Sequence, residues 1–233
     1  MAPMNDIPTR GRPKRRQLPD EVASYVREQI MSGIMRPGDF LRMEPIAEAV
    51  GVSITPVREG LLTLRSEGFV TLVPRRGFQV AKFTRQDVRD LFWAQSRMAG
   101  ELAARTAKKA TPELVDRLRE IDAATMEAAA AGDTERVADL SHSFHREINV
   151  AADSDRLARV LAGVVNHLPS QFYASIEAHV AAARTQHRDI LDAVEARDAK
   201  SARKVMEAHL VDSADHVIAM LEKSGLWAEA SPA

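Results

Sequence analysis

Cysteine is absent from this 233-residue sequence, aromatic residues make up only 5% of it, and its formal net charge is only -1. Without cysteine there is no disulfide scaffold, no thiolate nucleophile and no cysteine-ligated zinc or iron–sulfur site. Any metal must be held by carboxylates or by the seven histidines. No run reaches the roughly 18 to 20 apolar residues that a membrane-spanning helix needs. The basic N-terminus is not followed by the apolar core of a secretory signal. These absences lead us to expect a soluble, cytoplasmic protein with no membrane partner.

The near-zero charge hides two unlike halves. Residues 1–82 carry 13 basic and 9 acidic side chains, whereas residues 83–233 carry 19 basic and 24 acidic ones. A basic segment followed by an acidic one suggests a part that meets polyanions and a part kept away from them. Residues 1–17 hold three prolines and five basic residues with almost nothing apolar, and should be a disordered arm.

From Leu18 the apolar residues Val22, Tyr25, Val26, Ile30 and Ile34 recur at helical spacing until Pro37-Gly38. A second short helix reads through Glu44, Ile46, Ala47 and Val50. A third opens on Ser53 as its N-cap and carries Val57, Leu61, Leu62 and Leu64 to Gly68. Two β-rich runs, Phe69–Val73 and Gly77–Val80, flank Pro74-Arg75-Arg76 and read as a hairpin. This order predicts a mainly α protein whose residues 18–82 form a winged helix-turn-helix. Residues 83–225 show no strand signal and predict an all-α bundle of six or seven helices, with starts at Thr84, Thr111-Pro112, Asp133, Asp153-Ser154 and Asp198. Residues 226–233 read as a flexible tail.

The run Val52-Ser53-Ile54-Thr55-Pro56-Val57-Arg58-Glu59, with Pro37-Gly38, Gly51, Leu64, Gly68 and Gly77 around it, resembles the GntR family of bacterial transcription regulators over about residues 18–81. The resemblance implies that Ser53, Thr55 and Arg58 touch DNA, with Gly77 on the wing. Chemistry agrees: hydroxyls, backbone N–H groups and a guanidinium in the first turn of a helix suit a major groove. The plainer reading of Arg58 is a surface ion pair. Arg75 and Arg76, at the hairpin tip, suit phosphate contacts. Ile54 stands where the family usually has Arg, and can meet only a thymine methyl or pack inward. Gly60 replaces a more usual Ala, which costs about 1 kcal/mol unless close packing demands it.

In the arm, Arg10-Gly11-Arg12-Pro13 resembles an AT-hook. Extended Arg-Gly-Arg is narrow enough for the minor groove of A·T-rich DNA. A solvated basic tail attracted to any phosphate is the alternative.

Three histidines fall on apolar helical stripes: His145 with Val137, Phe144 and Ile148; His187 with Ala183, Ile190 and Val194; His209 with Ala202, Met206 and Val217. One such residue alone reads as a hydrogen-bonded core histidine, but three turned inward leave several polar nitrogens to satisfy. Residues 84–223 also resemble the helical ligand-binding domain of the FadR-type subgroup, through Phe144-His145, His187-Arg188-Asp189-Ile190-Leu191-Asp192-Ala193 and Ala208-His209-Leu210. That resemblance implies a divalent metal, Zn or Ni, held by His145, His187 and His209 with an Asp one turn before the first. Here that position is Ser141. Three arrangements are then open: three His with water and effector completing the shell, His142 as a substitute, or a metal-free site in which the imidazoles bind a carboxylate directly.

By the same resemblance Arg97 and Glu101 match an Arg–Glu pair of the domain. A surface i,i+4 ion pair is the plainer reading, and an inward Arg97 would clamp a carboxylate. Gly100 would widen the pocket, and Tyr173, Phe172, Trp93 and His216 would line it. The whole predicts a homodimeric regulator, acting as a repressor, whose affinity for operator DNA responds to a small organic acid. A metal-dependent hydrolase in the helical half and an effector-free DNA-architectural protein are the alternatives.

Overall fold

The computed structural model describes residues 17–165, 167 and 181–227, with only the backbone of 181–185. Two compact units emerge. One holds the described residues up to Arg27 together with Gly38–Ala81; the other holds Glu28–Pro37 and the described residues from Lys82 onward.

The first unit opens with α1 (Leu18–Met31). Gly33, at φ 76°, accompanies the helix end. Ile34, expected on the apolar stripe of α1, is instead 68% exposed beyond the end of the helix. Next come a two-residue strand β1 (Phe40–Leu41), α2 (Met43–Val50) and α3 (Ile54–Ser66). Gly51 takes the left-handed conformation at the end of α2, and its amide donates to the carbonyls of Ala47 and Glu48. This closes the tight turn into α3. Strands β2 (Val70–Val73) and β3 (Gly77–Val80) complete an antiparallel sheet of order β1-β3-β2. The sequence reading found only the hairpin. β1 is too short to show a period of two, yet Phe40 pairs with Gln79 and Leu41 with Phe78. Val22, Val26, Ile46, Val57, Leu61, Leu64, Phe69, Phe78 and Val80 are buried.

The second unit contains six helices among the described residues besides the end of α1: α4 (Arg85–Lys109), α5 (Pro112–Ala130), α6 (Thr134–Ala151), α7 (Asp155–Val165), α8 (Ala181–Glu195) and α9 (Ala199–Lys223). Local chemistry sets their starts. Thr84 and Asp87 form a reciprocal capping box on α4, and Thr111 accepts from the Leu114 amide ahead of Pro112. Asp133 accepts from Arg136, and Asp198 from Lys200 and Ser201. The expected break at Leu168-Pro169 lies outside the described residues.

Leu102, Leu118, Phe144, Ile148, Ile190, Leu191 and Met206 fill the centre of the bundle. The buried Thr106 hydroxyl donates to the Ile148 carbonyl at 2.6 Å. The expected boundary at residue 225 falls too early. Gly225 reverses the chain at φ 84°, the Leu226 amide donates to Leu221, and Leu226 is buried. Trp227 then donates from Nε1 to the Phe83 carbonyl at 2.6 Å and lies beneath the Arg85 guanidinium.

Candidate nucleic-acid interface and metal centre

Pro56, Val57, Gly60, Leu61 and Leu64 anchor α3 in the first unit and turn its other face outward. On that face Ser53, Ile54, Thr55 and Arg58 are all exposed. Ser53 occupies the N-cap position, but its hydroxyl makes no capping bond, contrary to the sequence reading. The hydroxyl is left for another partner. Arg58 forms no ion pair with any described residue, so the surface-pair reading has no support. Ile54 faces outward, which leaves it the apolar contact rather than the core.

At the tip between β2 and β3, Arg75 has φ 62° and Gly77 φ 93°, and both arginine side chains point to the surface. The Arg76 guanidinium stacks 4.1 Å from the Phe40 ring centroid. The short strand missed from sequence thus supplies a platform that holds one wing arginine in place. Arg10 and Arg12 lie outside the described residues.

In the second unit the three histidines do meet. His145 comes from α6, His187 from α8 and His209 from α9. The Nε2 atoms of His187 and His209 each lie 3.2 Å from His145 Nε2. Phe144 stacks on His187 at 4.7 Å, and His145 stacks on His209 at 5.2 Å. His187 and His209 are almost fully buried.

Burial pushes the His187 imidazole down to about 4. It pushes His145 well below its ordinary range too, helped by the neighbouring His187 and His209. Both rings are therefore neutral at pH 7 and keep a lone pair. Gln186 Oε1 lies 3.0 Å from His209 Nδ1, and Gln186 Nε2 donates to Asp212 at 2.8 Å. An acceptor on Nδ1 favours the proton there and leaves the lone pair on Nε2, the atom that faces His145 Nε2. Sequence reasoning missed Gln186, whose only signal was its place beside His187.

The cluster fits a small divalent cation. Zinc–nitrogen bonds of 2.0–2.1 Å in a tetrahedral shell place ligand nitrogens about 3.3 Å apart. Two of the Nε2 separations in the cluster, at 3.2 Å each, come close to that spacing. Among the described residues the candidate ligand group consists of these three histidines alone, with no carboxylate. Ser141 is 4% exposed, one turn before His145. His142, the possible substitute, is exposed and outside the group.

The described candidates for effector contact, Arg97, Glu101 and His216, have other partners. Arg97 is 56% exposed and pairs with Glu207 across to α9. Glu101 is bridged by Arg105 at 2.7 Å and by Arg203. The two therefore form neither an inward clamp nor an i,i+4 pair with each other. Gly100 opens no pocket, because the Glu207 and Arg203 stems occupy the space over it. His216 is exposed, its Nδ1 2.9 Å from the Asp212 carbonyl of its own helix. Trp93 is also exposed. Tyr173 and Phe172 lie outside the described residues.

Residues 18–80 match the family described as bacterial regulatory proteins, gntR family, and residues 90–212 match the FCD domain. The chain belongs to the GntR family of transcription regulators and carries an FCD domain. An HTH-type transcriptional regulator in an unstable DNA locus of Streptomyces ambofaciens is 30% identical over 205 residues, covering 87% of this chain and 84% of that one. The transcriptional repressor RspR of Escherichia coli K12 is 22% identical over 210 residues, covering 89% and 92%. The solved structure of E. coli McbR/YncC shares the fold at a TM-score of 0.62 and 22% identity, covering 90% of this chain and 99% of that one. The GntR regulator described here is thus a DNA-binding transcription regulator and not an enzyme. The hydrolase and architectural readings find no support among its relatives. No described helix is long and apolar enough to cross a membrane.

Proposed function

We propose that this GntR regulator is a cytoplasmic, homodimeric repressor whose operator affinity is set by a small carboxylate bound at the three-histidine centre, with zinc or nickel held by His145, His187 and His209. The observation that carries this reading is the meeting of three Nε2 atoms, two of them 3.2 Å from the third, inside a bundle. The metal would supply a positive point for a carboxylate oxygen. Burial keeps His145 and His187 uncharged, so without a cation these two rings cannot balance a carboxylate. This favours the metal over direct capture by imidazole.

DNA contact is assigned to Ser53, Thr55 and Arg58 on α3 and to Arg75, Arg76 and Gly77 at the wing, with Arg10 and Arg12 in the arm as further contacts. Two heads in one dimer would read a pseudo-palindrome. Metal content after native purification, combined with operator binding before and after chelation, tests the proposal. One metal per chain, and DNA binding whose response to organic acids vanishes on chelation and returns with the metal, is the expected result. A metal-free chain whose response to acids survives chelator overturns it.

A further inference from the structure

We infer that Ile54 is a specificity-determining residue of the DNA interface: it reads the C5-methyl group of one thymine in the operator, within two base pairs of the position met by Arg58. The inference rests on the assignment of the first turn of α3 to DNA and names what one further side chain there recognises. Ile54 is the first residue of α3, directly after the extended Ser53 (φ -79°, ψ 171°). Pro56 and Val57 are buried and anchor this turn in the core, so Ser53, Ile54, Thr55 and Arg58 stand together on the surface. Ile54 keeps 37% of its surface exposed, an aliphatic side chain set among two hydroxyls and a guanidinium.

In a helix-turn-helix the N-terminal part of the second helix meets base edges in the major groove. Those edges present donors, acceptors and one apolar group, the thymine methyl. Isoleucine can neither donate nor accept, so against a polar edge it would displace water and return no hydrogen bond. Against thymine it buries a methyl group instead. β-Branching confines Ile54 to few rotamers within a helix, which lowers the cost of fixing it at the contact. Helix geometry sets the register. Ile54 and Arg58 are four residues apart, so their Cβ atoms lie about 5–6 Å apart on one face. Successive bases rise about 3.4 Å, which puts the thymine one or two base pairs from the Arg58 position.

The test uses DNA selected from a random pool by the full wild-type chain, with each thymine replaced in turn by uracil, which removes only the methyl group. One such replacement in each half-site should weaken wild-type binding about fourfold, the effect of unburying one methyl-sized group. Ile54→Ala should bind the thymine and uracil forms of that site equally, while keeping the base preference that Arg58→Ala relaxes. A wild type indifferent to every uracil replacement overturns the inference; if Arg58→Ala still weakens binding, the assignment of α3 to DNA stands. Indifference to uracil together with unchanged binding by Arg58→Ala overturns both. A uracil effect that persists undiminished in Ile54→Ala gives the methyl to another residue, such as Thr55, and overturns the inference as well. If Ile54→Ala does not fold, the wild-type uracil series still decides, because a sensitive thymine more than two base pairs from the Arg58 position contradicts the register.

Discussion

Gly60 on α3 stands directly against Val22 on α1: a methyl group added at Gly60 would fall 2.9 Å from the Val22 Cβ. The Pro19 carbonyl oxygen would be 2.8 Å away as well. Close packing, rather than tolerance, accounts for this mid-helix glycine. Gly60→Ala gains about 1 kcal/mol of helix propensity, but overpacking against backbone costs about 1–3 kcal/mol. We expect a net loss of stability in the DNA-binding unit, read as faster hydrogen exchange of α1 and α3 amides in the full chain. Slower exchange would show that α1 yields without cost.

Local signals carried much of the fold. The capping box of Thr84 and Asp87 and the Thr111-Pro112 start are readable because the stabilising partner lies three residues away. The three histidines were readable as a group because helical periodicity puts each on its helix's apolar stripe. What failed depended on distant partners. Nothing near Arg97 in sequence announces Glu207, and nothing near Trp227 announces the Phe83 carbonyl. β1 escaped because two residues have no period, although its Phe40 supports Arg76.

Arg97→Ala separates the two roles considered for this residue. As an exposed partner of Glu207 it contributes about 0–1 kcal/mol to stability. Effector response in operator binding should be unchanged within about twofold, since the loss of a bidentate carboxylate clamp would cost far more. A response weakened a hundredfold would return Arg97 to the effector site.

Arg58→Ala should weaken binding to DNA selected by the wild-type chain at least about tenfold, with relaxed preference at one base position if the contact is to a base edge. Arg76→Ala should instead lower affinity evenly across sequences and flatten the salt dependence. Binding isotherms over a salt series on selected and scrambled DNA check both. Unchanged affinity for Arg58→Ala would remove α3's first turn from the interface.

Deletion of residues 1–16 tests the Arg10-Gly11-Arg12 arm. If the arm lies in the minor groove, the deletion should cost more affinity on A·T-rich flanks than on G·C-rich flanks, because narrow A·T grooves concentrate negative potential. Equal losses on both, with a reduced salt slope, would make the arm a general phosphate anchor.

Acid should destabilise the metal-free sensor unit in a way traceable to His187. Unfolded, its imidazole titrates near 6.5; folded, it is held at about 4. Above the unfolded value both states are neutral and contribute no slope. As pH falls from about 6.5 to about 4, the unfolded chain binds a proton that the native one refuses, so stability declines. For His187 alone the shift corresponds to about 3 kcal/mol, fully lost by about pH 4. His145 adds to the loss in the same direction, because burial and its two imidazole neighbours depress it as well. Denaturant unfolding of the chelated chain across this range should therefore be less steep in pH for His187→Gln than for the wild type. An identical slope in the two proteins would mean that the ring is not held neutral by its surroundings, and that the bundle opens to water around it.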